Sequence, residues 1–92
     1  MFRYRPGMRK EEKGGLDPEW VRVGATLRTL RELRGYKPDP FASQIGISRP
    51  YLANIEAGRK KLTNVLLARA AAALAVEQIA IMRPAAEDVA AA

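Results

Sequence analysis

The chain has 92 residues and a formal net charge of +6, which limits it to one small domain whose field attracts polyanions. Cysteine and histidine are both absent, so disulfides, imidazole or thiolate metal sites and nucleophilic dyads built on either residue are excluded. Apolar residues make up 48% of the chain, a globular composition, and nucleic acid is the leading polyanion, an anionic membrane surface the other.

The opening "MFRYRPGMRKEEKGG" is basic but lacks the apolar run of a secretory signal. Arg3, Arg5, Arg9, Lys10 and Lys13 face only Glu11 and Glu12, with Pro6, Gly7, Gly14 and Gly15 interspersed. Residues 1 to 16 therefore read as a flexible basic arm. "DPEW" predicts a helix start, with Asp17 as N-cap, Pro18 at the first helical position and Glu19 in the first turn. Trp20, Val23, Leu27, Leu30 and Arg34 follow at helical spacing, and Gly35 ends the segment.

"KPDP" interrupts the helical pattern, because a proline disfavours the α region for the residue before it. Asp39 and Pro40 repeat the cap-then-proline signal, so a short second helix is expected from there through Ile45. Gly46 turns the chain, and Ser48 caps a third helix with Arg49 and Pro50 in its first turn. That helix runs to about Glu56, and Gly58 closes it. A fourth helix starts after Thr63, with Leu66, Leu67, Ala70 and Leu74 on one face. A fifth, around Glu77 to Met82, presents Ile79 and Met82 before Pro84 stops it.

Residues 84 to 92 form an alanine-rich tail, and no strand signal or internal repeat is present. The most apolar stretch, "LLARAAAALAVEQIAIM", carries Arg69 and Glu77 and is too short to span a bilayer. No membrane association is expected, and a soluble, cytoplasmic, all-α domain over residues 17 to 83 is.

The segment "PFASQIGISRPYLANIEAGRKKL" resembles the helix-turn-helix of the lambda-repressor and Cro-like family. Ala42 falls where the second helix must be thin, and Gly46 lies four residues later at the corner, where a left-handed backbone is cheap only without a Cβ. Ile47, Leu52 and Ile55 are the apolar anchors, and Glu56 and Gly58 complete an "E-x-G" ending. The likeness extends upstream to "VGATLRTLRELRGY" and downstream to "LLARAAAALAV", about residues 21 to 82.

The resemblance implies a compact five-helix fold whose third helix reaches into a DNA major groove. Packing alone is the bland alternative for the tight corner. Relatives read bases from the start of the third helix, which nominates Arg49, whose fork suits the O6 and N7 acceptors of guanine. A grip on phosphate only is its other reading. Pro50 offers apolar contact, Tyr51 and Asn54 lie on the exposed side within reach of bases or backbone, and Ala53 either meets a thymine methyl or is merely permissive.

For phosphate the resemblance nominates Lys37, Ser48, Arg59, Lys60 and Lys61; capping alone also accounts for Ser48, and a solvated charge run for the basic cluster. Arg31 and Glu56 resemble the family's half-buried ion pair, a positioning device more than a stabiliser. One departure stands out. Pro38 occupies the place of a phosphate-binding glutamine in many relatives, so the second helix is expected to start late, with that role absent or moved to Lys37.

The arm, through Arg3, Arg5, Arg9 and Lys10, resembles minor-groove arms in composition only, a solubilising tail being the alternative. The terminal "EDVAAA" resembles tags read by bacterial Clp-type proteases, or is simply an unstructured end.

These expectations combine into a sequence-specific transcription regulator acting on a double-stranded DNA operator, of the small phage or mobile-element repressor kind. The alternative is an antitoxin that binds a toxin and its own operator. An enzyme is disfavoured by the missing histidine, cysteine, P-loop and GxGxxG, and no cofactor is expected. A homodimer would use Ile79 and Met82 or the region near Trp20.

Overall fold

In the computed structural model, which describes residues 16–83, Asp17 opens the fold as the sequence predicts. Its carboxylate accepts hydrogen bonds from the backbone N–H groups of Glu19 (2.8 Å) and Trp20 (3.4 Å), satisfying donors that no helical carbonyl can reach. Helix α1 follows as Pro18–Leu33, then α2 (Pro38–Ile45), α3 (Arg49–Glu56), α4 (Asn64–Leu74) and α5 (Gln78–Met82). Among the described residues there is no strand. The basic arm with Arg3, Arg5, Arg9 and Lys10, and the tail at 84–92 with its expected protease tag, lie outside the described residues.

Caps at Ser48 and Thr63 also form as expected: Ser48 Oγ accepts from Tyr51 N at 3.2 Å and Thr63 Oγ1 from Leu66 N at 3.3 Å. The start of α2 does not. The helix begins at Pro38 with Lys37 as N-cap, so it starts earlier than the Asp39–Pro40 signal implies. Both prolines sit in the first turn, where a backbone N–H has no intrahelical acceptor and its loss costs nothing. The bias of Pro40 against a helical Asp39 is overcome because the turn carries the fully buried Phe41 and Ala42 to the core.

The core is built from Leu27 of α1, Phe41 and Ile45 of α2, Leu52 and Ile55 of α3, Leu74 of α4 and Ile81 of α5. Tyr36 tilts against Phe41 with ring centroids 5.7 Å apart. Helices α2 and α3 have eight residues each, below the length at which an isolated helix persists in water. They are held from outside: α2 packs on α3 and α4, α1 packs on α3 and α5, and α5 closes against α4. In α5 the residue that turns inward is Ile81, and Ile79, expected on the presented face, is 55% exposed. Met82 is half-buried beside the core.

Gly24 explains how closely α1 crosses α3. It is buried in mid-helix, and a Cβ there would collide with the carbonyl oxygen of Ile55 and lie 2.9 Å from that of Glu56. The crossing brings Arg31 and Glu56 together as expected. Arg31 Nε donates to Glu56 Oε2 at 2.8 Å, Nη2 to Oε1 at 3.2 Å, and Nη1 to the Tyr36 carbonyl at 2.7 Å. Arg31 is only 5% exposed, and its charge is answered on three sides.

A candidate nucleic-acid interface on helix α3

The corner before α3 is left-handed at Gly46, φ +82°, a conformation open to glycine at little cost. Two reverse hydrogen bonds close it, Gly46 N to Ser43 O (3.1 Å) and Ile47 N to Ala42 O (2.9 Å). A third comes from an unexpected quarter: Arg69 of α4 donates through Nη1 to the Ile45 carbonyl at 3.3 Å. In the sequence Arg69 counts only as a charge within the most apolar stretch; its isolation among small residues is the available signal.

This corner sets the first residues of α3 on the surface. The Arg49 side chain is 63% exposed, with Nη1 3.6 Å from Oδ2 of Asp39, itself 69% exposed. A pair this exposed contributes little to stability and leaves most of the guanidinium fork unengaged. Pro50 and Ala53 are exposed. Tyr51 and Asn54, expected on the exposed side, are both half-buried, and Tyr51 packs against the core. The reason is the helical repeat: Tyr51 neighbours the fully buried Leu52 and lies four residues before Ile55, on the flank of the buried stripe.

Cations sit at both ends of this face. Lys37 is exposed at the N-cap of α2, with no side-chain capping bond, and α2 does not start late as expected. Arg59, Lys60 and Lys61 are exposed on the segment leaving α3. That segment folds back on its helix, for Arg59 N (2.8 Å) and Lys60 N (3.2 Å) both donate to the Asn54 carbonyl. Arg59 Nε donates in turn to Asn54 Oδ1 at 2.8 Å. Ser48 accepts one bond as a cap, which leaves its hydroxyl hydrogen available.

Among the described residues no group of three or more His, Cys, Asp or Glu side chains comes together as a metal site. No helix among them is long and apolar enough to cross a membrane. What the face can do is donate hydrogen bonds and present positive charge.

A short helix swung onto the surface by a left-handed corner and braced behind by α1 and α2 is a helix-turn-helix module. The family model described as a helix-turn-helix domain matches residues 22–81, and the chain belongs to that family. Solved structures agree. The restriction-modification controller protein C.AhdI from Aeromonas hydrophila is 28% identical over 71% of this chain and 98% of its own, with a TM-score of 0.68. The clp gene regulator ClgR from Corynebacterium glutamicum is 30% identical over 80% of this chain and 79% of its own, at 0.72. The hypothetical transcription factor NHTF from Neisseria, 24% identical over 84% of this chain and 92% of its own, shares the fold at 0.73. No curated protein matches the chain.

Proposed function

We propose that the chain binds double-stranded DNA sequence-specifically and regulates transcription, with α3 entering the major groove. One observation carries this reading: Arg49, at the first position of α3, stands exposed on a helix whose opposite side is locked into the core, with exposed Lys37 at the start of α2 and exposed Arg59, Lys60 and Lys61 on the segment leaving α3. Arg49 reads base edges, with Pro50, Ala53 and the accessible parts of Tyr51 and Asn54 beside it. Lys37, Ser48, Arg59, Lys60 and Lys61 hold phosphates on either side. Similarity to a controller protein and to a clp gene regulator supports regulation as the outcome of binding, and favours it over the antitoxin reading.

Within that reading we place the chain among small repressors of the phage or mobile-element kind. It acts without catalysis, in the compartment that holds the DNA. Two copies on half-sites about one helical turn apart are the expected working form. The exposed Ile79 is a candidate contact between them.

The experiment is a comparison of two variants on a selected site and on random duplex. Arg49→Ala should reduce the preference between the two, by about 1–3 kcal/mol in discrimination. Lys60→Ala should weaken both alike. Equal effects of the two substitutions on both duplexes would overturn the assignment of α3 as the reading helix.

A further inference from the structure

Asn54 has the side chain best suited to read adenine, because its amide can accept from N6 and donate to N7 at once. That use requires both amide edges to face one base. Here one edge is already committed. Arginine has no acceptor atom, so the Asn54 atom that meets Arg59 Nε at 2.8 Å must be the carbonyl oxygen. The bond is assisted by the arginine charge and is of the stronger kind. Oδ1 keeps a second lone pair, but it lies beside the Arg59 guanidinium, whose N–H groups compete with the N6 amine of adenine for that oxygen, so pairing both amide edges with adenine works against the existing bond. The Asn54 Nδ2 group, by contrast, has no such commitment and can donate.

Arg59 is also well placed to hold this orientation. Its backbone N–H and that of Lys60 are both tied to the backbone carbonyl of Asn54, at 2.8 and 3.2 Å, so the segment is anchored to Asn54 whatever the Arg59 side chain does.

We propose that Arg59 sets the specificity of this face through Asn54: with Oδ1 engaged, Asn54 meets its base pair as a donor, and the half-site carries guanine or thymine there in preference to adenine. Guanine offers two acceptors, O6 and N7, and thymine offers O4, whereas adenine offers N7 alone and sets its N6 donor beside it, against the Asn54 amide donor. Arg59 is thus a positioning residue, acting on the base through another side chain. The inference rests on the proposed role of α3 and adds to it the chemistry of the site it selects.

The test is selection of bound duplexes from a random pool by the full chain and four variants. Asn54→Ala marks the base pair that Asn54 faces as the position whose preference disappears. At that position the unsubstituted chain should enrich guanine or thymine. Arg59→Ala and Arg59→Met should raise adenine relative to them by about tenfold, the scale of one good base pairing, and leave the other positions as they were. Arg59→Lys, which can still donate to Oδ1, should keep the original preference. Adenine already favoured in the unsubstituted chain, no position altered by Asn54→Ala, or an unchanged preference in both Arg59→Ala and Arg59→Met would each overturn the proposal while leaving sequence-specific binding intact. Failure of the unsubstituted chain to enrich any sequence overturns the functional reading itself.

Discussion

Arg31 illustrates why one buried interaction can outweigh several on the surface. Its guanidinium is shielded from water and depends on Glu56 and the Tyr36 carbonyl for all three bonds. Removing the carboxylate leaves the buried charge with only the Tyr36 carbonyl and, at 4.0 Å, the exposed Glu32, which costs about 3–5 kcal/mol. Glu56→Ala should therefore lower the melting temperature by at least about 12 °C, at roughly 4–8 °C per kcal/mol for a domain of this size. A thermal melt within a degree or two of the parent would refute it. The exposed Arg28–Glu32 pair at 3.0 Å contributes a fraction of that, because both groups remain hydrated. Ala75 is a residue-scale strain of the opposite kind. It is exposed and left-handed at φ 57°, a conformation that costs a Cβ-bearing residue about 1–2 kcal/mol. Ala75→Gly should raise the melting temperature by a few degrees despite the extra freedom that glycine has when unfolded, and a fall would show that the entropy term dominates.

At the scale of the elements, Gly24 decides between two opposed effects. Alanine is the better helix former by about 1 kcal/mol, so Gly24→Ala would stabilise an isolated α1. In the folded chain the new methyl meets the backbone carbonyls of Ile55 and Glu56, which have no side-chain freedom with which to yield. Overpacking of this kind costs about 1–3 kcal/mol and should win, so chemical denaturation should give a lower midpoint for the variant. A raised midpoint would mean that α1 and α3 can separate cheaply.

These elements also show what a sequence exposes. Caps at Asp17, Ser48 and Thr63 are legible because each is a local bond within three residues of its own chain. The corner at Gly46 and the Arg31–Glu56 pair are legible through resemblance to a known pattern. Pro38 misleads because a proline that ends one helix and one that begins another look alike until burial of Phe41 decides between them. Helix α5 offers too few residues for a periodicity, so the burial of Ile81 is not legible in advance. The Arg59–Asn54 bond depends on how the segment after α3 folds back, and no spacing rule reports that.

For the whole molecule the charge decides how binding responds to salt. A net +6 does not dictate the fold, but it sets how many counterions are released when the chain meets a duplex. Lys37, Arg59, Lys60 and Lys61 are the exposed cations flanking α3, and Arg59 already shares its Nε with Asn54. If all four neutralise phosphates, the logarithm of affinity should fall with the logarithm of salt at a slope of about −3.6 per copy. Between 50 and 200 mM that is a loss of roughly 150-fold for one copy, and far more for two bound together. Lys60→Ala should reduce the slope by about 0.9 and leave the ratio between sites unchanged. Arg49→Ala should do the reverse, altering the ratio while the slope stays near its parent value, because a hydrogen bond to guanine displaces no condensed counterion. Titration of both variants at four salt concentrations separates the roles. A slope near zero in the parent would mean that these cations do not meet the DNA backbone, and α3 would then have to approach the duplex, if at all, from another side.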